Sequence, residues 1–530
     1  MPVLRRQPRQ VSFADTDEWY RRIPESSFWH SFRQWCEQSL SDDAFAHEYA
    51  VVGRPCVPPT FLVGLLLLQM RQGWSDREAV EAALFDDRVK YALGLSRSPE
   101  VTCDRTTLCK FRHRMLEVDL DRLLLAQTLR QAADAGMLTD EGDVVDSFMV
   151  AGAAAKKGTY VLIQQAIRHV LGQLREEHLP LPLLKRHDYD TRRKPAIDWE
   201  DAAARHELLQ ELVIDARTVV AFVASLANAS EGVRSRATLL QIVCEQDIET
   251  QRDGSVTIAS RVATDRVISI VDPEMRHGRK TTSARTDGYK AHLATQNVGS
   301  EQARVITAVV VTAANGADGE VAARLVRERL ALTGVAPAEV MGDTAYGSEA
   351  VQQAVAEVSA QTAVTAPVPP ASHREGRFSK TDFGIDTEAH TVTCPAGQTV
   401  SYRPKVVRPG GKPDQVVPMD AAQCAICPLR EQCVGGKGPR RIRIRADEAA
   451  LQRKRAAQQD PGWKAHDRTR SRVEHVNADM TAHGARQGRY WGARKTTLQE
   501  RLCATVHNIA EMSRVQWAKR LREPQREQCA

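Results

Sequence analysis

The eight residues 340–347 (Val-Met-Gly-Asp-Thr-Ala-Tyr-Gly) limit the fold more than any other stretch of the chain. A short apolar run, Val335 to Met341 broken by Pro337, stops at Gly342 and is followed at once by a carboxylate, Asp343. This pattern predicts a buried strand with Gly342 allowing close backbone approach and Asp343 projecting past the sheet. A helix is expected next, with Ser348 as its N-cap before Glu349. An aspartate fixed by a strand beside an open turn is well placed to ligate a metal ion. Taken alone, the same pattern also fits an aspartate that merely terminates a strand.

A matching element lies upstream. Residues 142–150 (Gly-Asp-Val-Val-Asp-Ser-Phe-Met-Val) read as the first clear strand, with Asp143 at its margin and Asp146 inside the apolar stretch. A carboxylate there is costly unless paired or metal-bound, which makes Asp146 the acid of interest. Further strands are expected at 256–258, 267–270, 288–294 and 304–312, with a helix over 319–332. Together with the strand ending at Asp343 they predict a mixed α/β core. Residues 159–245 read as helical around a Pro-, Arg- and Asp-rich loop at 180–199.

At 530 residues the chain exceeds one ordinary core, so several domains or large insertions are expected. The longest apolar run, Phe61 to Met70, is too short to span a bilayer. The basic N-terminus (Arg5, Arg6, Arg9) is followed by no apolar signal core, so a soluble cytoplasmic protein is the expectation. In the N-terminal part, Pro58-Pro59 opens an apolar helix. Ser75 and Glu78 form a capping box for the next helix. Thr106 or Thr107 is the expected N-cap of a third, with Lys110, Arg112, His113 and Arg114 opposite Leu108, Phe111 and Met115. Short helices ending in a basic one suit docking on DNA phosphates; a packing or dimerisation module would look the same.

Charge is unevenly spread. The net charge is +6, yet residues 437–530 carry 22 Lys+Arg against 10 Asp+Glu, a balance of 22 − 10 = +12, which leaves −6 for the rest. A C-terminal segment of that sign fits a polyanion such as nucleic acid, or a solvated helical face. Seven of the 11 cysteines are scattered, in keeping with a reducing compartment. The other four, Cys394, Cys424, Cys427 and Cys433, include a Cys-Ala-Ile-Cys pair in a polar, Gly-rich stretch. They fit one structural zinc ion held by four thiolates; four free thiols are the alternative. In the last region, Arg470 precedes Glu474 by one helical turn, and Asn477 lies on the same side as Glu474. Residues 484–497 are basic and Gly-rich with Tyr490 and Trp491, and Leu498, Leu502, Val506, Ile509 and Met512 make a packing stripe.

In this order the pieces resemble a family, the bacterial insertion-sequence transposases with an Asp-Asp-Glu triad in an RNase H-like core. Gly53-Arg54-Pro55, Ser75-Asp76-Arg77-Glu78 and Thr106-Thr107-Leu108 with Phe111-Arg112 are similar to their N-terminal helical domain. Val145-Asp146-Ser147 resembles the first acidic position, and Gly342-Asp343-Thr344-Ala345-Tyr346-Gly347 the second. Arg470-Ser471-Arg472-Val473-Glu474-His475 resembles the third. Asp272-Pro273-Glu274-Met275-Arg276 and Gly288-Tyr289-Lys290-Ala291-His292 resemble the middle strands, and the cysteine-rich block one found before the third acid in some members. Two positions depart from the family pattern: Asp467 stands where a Tyr is common and Thr481 where a Lys is common. His483, Arg486 or Lys495 would have to supply the basic function.

The resemblance implies an N-terminal helical DNA-binding and assembly domain over 1–135 and an RNase H-like core over 136–370 with a helical insertion at about 156–250. It further implies a cysteine-rich insertion over 371–440 and a basic helical end of the core over 441–530. The implied activity is cutting of element ends and joining of their 3′-hydroxyls to target DNA. Asp146, Asp343 and Glu474 would converge to hold two Mg²⁺ (or Mn²⁺) ions. Arg112, Arg114, Lys290, His292, Arg470, Arg472 and Arg486 are the expected DNA contacts. The implied partners are terminal inverted repeats and target DNA, with a homodimer as the active complex near the bacterial nucleoid. A metal-dependent nuclease without strand joining, or an impaired DNA-binding derivative, are the other readings of the same residues.

Overall fold

The computed structural model describes residues 20–42, 45, 56–95, 103–191, 193–279, 284–299, 301–368, 376–404 and 414–527, without the side chains of 521–527. Arg5, Arg6, Arg9 and Gly53-Arg54-Pro55 lie outside them. The chain divides into two units, Met1–Pro337 with Val473–Ala530, and Ala338–Arg472.

The first unit begins with helices α1 (Phe28–Ser39), α2 (Pro59–Gln72), α3 (Asp76–Phe85), α4 (Asp87–Ala92), α5 (Arg105–Glu117) and α6 (Leu120–Asp134). Every residue of α2 from Phe61 to Met70 is buried, as expected of a helix that is apolar all round. The capping box of α3 forms: Glu78 N–H donates to Ser75 Oγ at 3.2 Å and Ser75 N–H to Glu78 Oε2 at 2.7 Å. The cap of α5 is a correction to the sequence reading. Asp104, not Thr106 or Thr107, accepts from the backbone, taking Thr106 N–H at 2.7 Å and Thr107 N–H at 3.1 Å. A charged acceptor at the positive end of the helix outcompetes the hydroxyls beside it.

Strand β1 (Asp143–Ala151) leads into three helices, α7 (Thr159–Glu176), α8 (Ala202–Ser225) and α9 (Glu231–Asp247), then the hairpin β2 (Ile248–Thr250) and β3 (Val256–Ile258). These helices share a core of their own built on Leu162, Ile167, Leu212, Leu240 and Val243. The predicted strand at 267–270 is absent as a strand. Its residues are buried, but Gln246 brackets Val267 with two side-chain hydrogen bonds and Lys157 N–H takes Ile268 O. Those partners satisfy the backbone without a ladder.

The sheet of this unit is antiparallel. β5 (Arg285–Gln296) pairs with β1, running from Asp143 opposite Gln296 to Ala151 opposite Gly288, and also with β4 (Arg276–Arg279) and β6 (Ile306–Ala313). At Gly288, φ is 152° and a side chain would collide with the β1 backbone. Helix α10 (Ala322–Thr333) follows β6.

In the second unit, the parallel pair β7 (Glu339–Met341) and β8 (Ala363–Thr365) flanks α11 (Glu349–Val358), whose N-cap is the predicted Ser348. A three-stranded sheet follows, β9 (Gly384–Asp386), β10 (Thr391–Thr393) and β11 (Thr399–Ser401). Next come β12 (Gln415–Pro418), the short helices α12 (Ala421–Ile426) and α13 (Arg430–Cys433), and β13 (Arg441–Ile444), which pairs with β12. Helices α14 (Glu448–Ala457) and α15 (Pro461–Thr469) end this unit.

The chain then returns to the first unit with α16 (Val473–Ala482) and the long α17 (Ala493–Glu527). The stripe Leu498, Leu502, Val506, Ile509 and Met512 is buried, and α17 packs on α1, α2, α6 and β6. One apolar core therefore runs through the N-terminal helices, the sheet and the C-terminal helix. Asp272 and Glu274 fix the start of α17 by accepting Gly492 N–H at 3.1 Å and Ala493 N–H at 2.9 Å. No helix among the described residues is long and apolar enough to cross a membrane.

Candidate active site

Strand alternation separates the acids of β1. Asp143 is the buried one, 1% exposed, and Asp146 is only half-buried, the reverse of what the local apolar pattern indicated. The reason is tertiary. Asp143 pairs with the equally buried Arg329 of α10 and accepts from Thr307 Oγ1 at 2.7 Å, while Arg329 Nη2 also donates to Thr139 O at 2.6 Å. That acid is structural. Asp146 instead meets α16, whose Asn477 donates Nδ2–H to Asp146 Oδ2 at 2.6 Å. Glu474 lies one turn earlier on the same helix and is exposed.

At Ala151, the last residue of β1, the strand pairs with the segment after α16. Ala151 N–H donates to Arg486 O at 2.8 Å, and Gly488 N–H donates to Ala151 O at 2.7 Å. The strand carrying Asp146 and the turn carrying Arg486, itself exposed, are thus tied by backbone.

Ser147 points to the opposite face of β1, and His292 is directly across from it on β5. This places His292 and Lys290 on the face away from Asp146. His292 is fully buried, its Nε2 2.9 Å from Thr312 Oγ1, and burial pushes its pKa down to about 4. Lys290 Nζ donates to Gly316 O at 2.8 Å and meets Asp318 Oδ1 at 3.1 Å, and Ser147 Oγ donates to the same oxygen at 3.0 Å. Asp318 was visible in the sequence only as the end of a turn, and it organises this cluster.

In the second unit, Asp343 stands just past β7, after Gly342, and is exposed. Its Oδ1 accepts from Ala345 N–H at 2.8 Å, capping a single turn, Thr344–Tyr346. Gly342 is required there: a Cβ would lie 2.6 Å from Tyr346 Cγ, and Tyr346 is buried. Arg470 meets Asp467 at 3.4 Å, and Arg472 is exposed.

The four clustered cysteines all line one cavity of about 30 Å³ in the second unit. Cys394 sits in a tight turn after β10, Cys424 in α12, Cys427 just past it and Cys433 at the end of α13. Arg430 Nη1 donates to Cys424 O at 2.8 Å and Arg440 Nη1 to Cys433 O at 3.1 Å, holding the two loops together. Burial pushes the Cys433 thiol up; Arg440 opposes this, and Cys424, Cys394 and Cys427 add to it. Four sulfurs lining one small cavity are the donor type that a structural zinc ion takes as ligands. No three His, Cys, Asp or Glu side chains among the described residues stand as a ready-made ligand set.

Near the N-terminal helices, Arg112 and His113 of α5 with Arg489, Tyr490, Trp491 and Lys495 line a cavity of about 180 Å³. Trp491 and Arg114 are exposed, whereas Arg112 is only 8% exposed.

An exposed helical acid, a strand-borne acid in contact with the same helix and a basic, aromatic-lined cavity are features that fit a protein handling nucleic acid. Two family models match and make the class specific: a transposase DDE domain over residues 393–513, which includes Glu474 and the four cysteines, and the transposase domain (DUF772) over residues 17–114. Over these two stretches the chain is similar to transposases with a DDE domain and an N-terminal transposase domain, which supports a general function in DNA transposition. No curated protein and no solved structure matches it.

Proposed function

We propose that this transposase cuts the ends of its element and joins the freed 3′-hydroxyls to target DNA, using Asp146, Asp343 and Glu474 as its three acids on an RNase H-like core. The observation that carries this reading is the Asp146–Asn477 contact, which sets a first-strand carboxylate against the helix that bears Glu474. Asp343 adds an exposed carboxylate at a strand end, next to a glycine at which a Cβ would collide with the Tyr346 side chain. All three offer oxygen ligands, the donor type that suits Mg²⁺ or Mn²⁺. Two such ions, when bound, would supply charge stabilisation for the attacking and leaving oxygens of a phosphodiester displacement. The exposed Arg114, Arg472 and Arg486 are the arginines we assign to DNA phosphates. Cys394, Cys424, Cys427 and Cys433 would hold one structural zinc ion.

The departures at Asp467 and Thr481 favour a second reading, a chain that binds ends without cutting them. Asp467 pairs with Arg470, and Thr481 Oγ1 donates to Asn477 O at 2.6 Å, so neither supplies a basic group. A cleavage assay on a duplex carrying the element's own ends separates the two. The wild type should nick it in Mg²⁺, and Glu474→Gln should bind it with little change yet fail to cut. Near-normal cutting by the variant removes Glu474 from the chemistry. Binding without cutting by the wild type establishes the second reading.

A further inference from the structure

Asn477 is out of place for a residue that only builds a helix. It is 9% exposed, its Nδ2 is spent on Asp146, and its buried Oδ1 has no hydrogen-bond partner. An orphaned acceptor at a buried helix position costs free energy, and an apolar side chain would avoid that cost. The helix itself does not use the amide, because Thr481 back-bonds to the Asn477 carbonyl rather than to its side chain. What the amide does is hold one oxygen of Asp146 without neutralising it. A Lys or Arg in its place would also donate, but would bring a positive charge into the space a cation needs.

We propose that Asn477 is a positioning residue for the divalent-ion site: its N–H fixes the Asp146 carboxylate, and its free Oδ1 accepts a hydrogen bond from a water of the ion's hydration shell. This rests on the reading of Asp146 as a metal ligand. Asn477 therefore acts on ion affinity and on the orientation of Asp146, and does not touch the reacting phosphate. Partners of this kind typically alter metal affinity by about 10- to 100-fold when removed.

The test is Mn²⁺ binding to the full chain, read from the ion's paramagnetic resonance signal, beside thermal melting of each variant. Asn477→Ala should bind Mn²⁺ about 10- to 100-fold more weakly than wild type, with cleavage recovering as Mn²⁺ is raised. Recovery by excess ion is an effect that a merely structural side chain would not produce. Wild-type Mn²⁺ affinity in Asn477→Ala overturns the proposal. Should that variant not fold, Asn477→Leu, of similar volume and without a donor or acceptor, carries the same two outcomes. Asp146→Asn separates this inference from the reading beneath it. If Asp146→Asn loses the ion while both Asn477 variants keep it, only the role of Asn477 falls. If Asp146→Asn binds Mn²⁺ like the wild type, the metal role of Asp146 falls and takes this inference with it.

Discussion

Arg112 of α5 and Asp76 of α3 form a two-pronged ion pair, with Nη1 2.8 Å from Oδ1 and Nη2 2.5 Å from Oδ2. Gln69 of α2 donates to the same Asp76 at 2.7 Å, and the guanidinium lies 5.2 Å from the centre of the Tyr490 ring. Three N-terminal helices and the segment before α17 therefore meet at one charge pair. Burial acts to raise the Asp76 pKa, but the hydrogen bonds from Arg112 and Gln69 outweigh it and hold the carboxyl below its ordinary range.

Arg112→Ala should accordingly act on stability before it acts on DNA. Breaking a pair with side chains 10% and 29% exposed should cost about 3 kcal/mol, the low end for a buried pair. Because the folded pKa of Asp76 is depressed, its contribution is present above the unfolded value of 3.8 and is lost as pH falls below it. The melting difference between wild type and variant should then shrink in acid. Arg114→Ala, at an exposed position, should melt like the wild type and lower the salt dependence of DNA binding by about one phosphate contact. An Arg112→Ala variant as stable as wild type would contradict this division of labour.

Asp343→Asn tests the second acid with little risk to the fold. An amide oxygen can still cap Thr344–Tyr346 through Ala345 N–H, so the stability change should stay below about 1 kcal/mol. Mg²⁺-dependent cleavage should disappear while end binding persists, as judged by gel shift and nicking on one substrate. Retained nicking would leave Asp343 as a turn residue only.

Metal analysis of protein purified without chelator should find close to one zinc per chain. Replacing Cys424 and Cys427 together by Ser should abolish it, since that removes two of the four thiolates lining the cavity. A chelator should lower the melting temperature of the wild type and leave the double variant unmoved. Zinc-free wild type whose melting ignores chelator would make the cluster four free thiols.

Glu500 in α17 is fully buried, neither carboxylate oxygen has a hydrogen-bond partner, and burial raises its pKa well above the ordinary value of 4.5. The folded state thus binds a proton that the unfolded chain releases above pH 4.5, so stability falls as pH rises from that value toward the folded pKa. Glu500→Gln removes the titration. Its melting temperature should match wild type near pH 4.5 and exceed it increasingly toward pH 8. A gap that does not grow with pH would mean that Glu500 is ionised in the folded protein.

The sequence by itself determined what is local. The capping box of Ser75 and Glu78, the Ser348 cap, the strand beginning at Asp143, and the stripe from Leu498 to Met512 each depend on neighbours within a few turns or on one repeating face. The same logic placed Asp343 just past a short strand, because an apolar run that stops at a glycine and an acid marks a strand end. Tertiary structure alone decided which acid of β1 is structural, since only the arrival of Arg329 makes Asp143 the buried partner and leaves Asp146 to α16. It also decided that Lys290 and His292 face Asp318, that Arg112 serves Asp76, and that Asn477 grips Asp146. In each case the partner lies tens to hundreds of residues away. Hydrogen-bond and ion-pair energies depend on distances of a few ångströms, which periodicity along the chain does not encode.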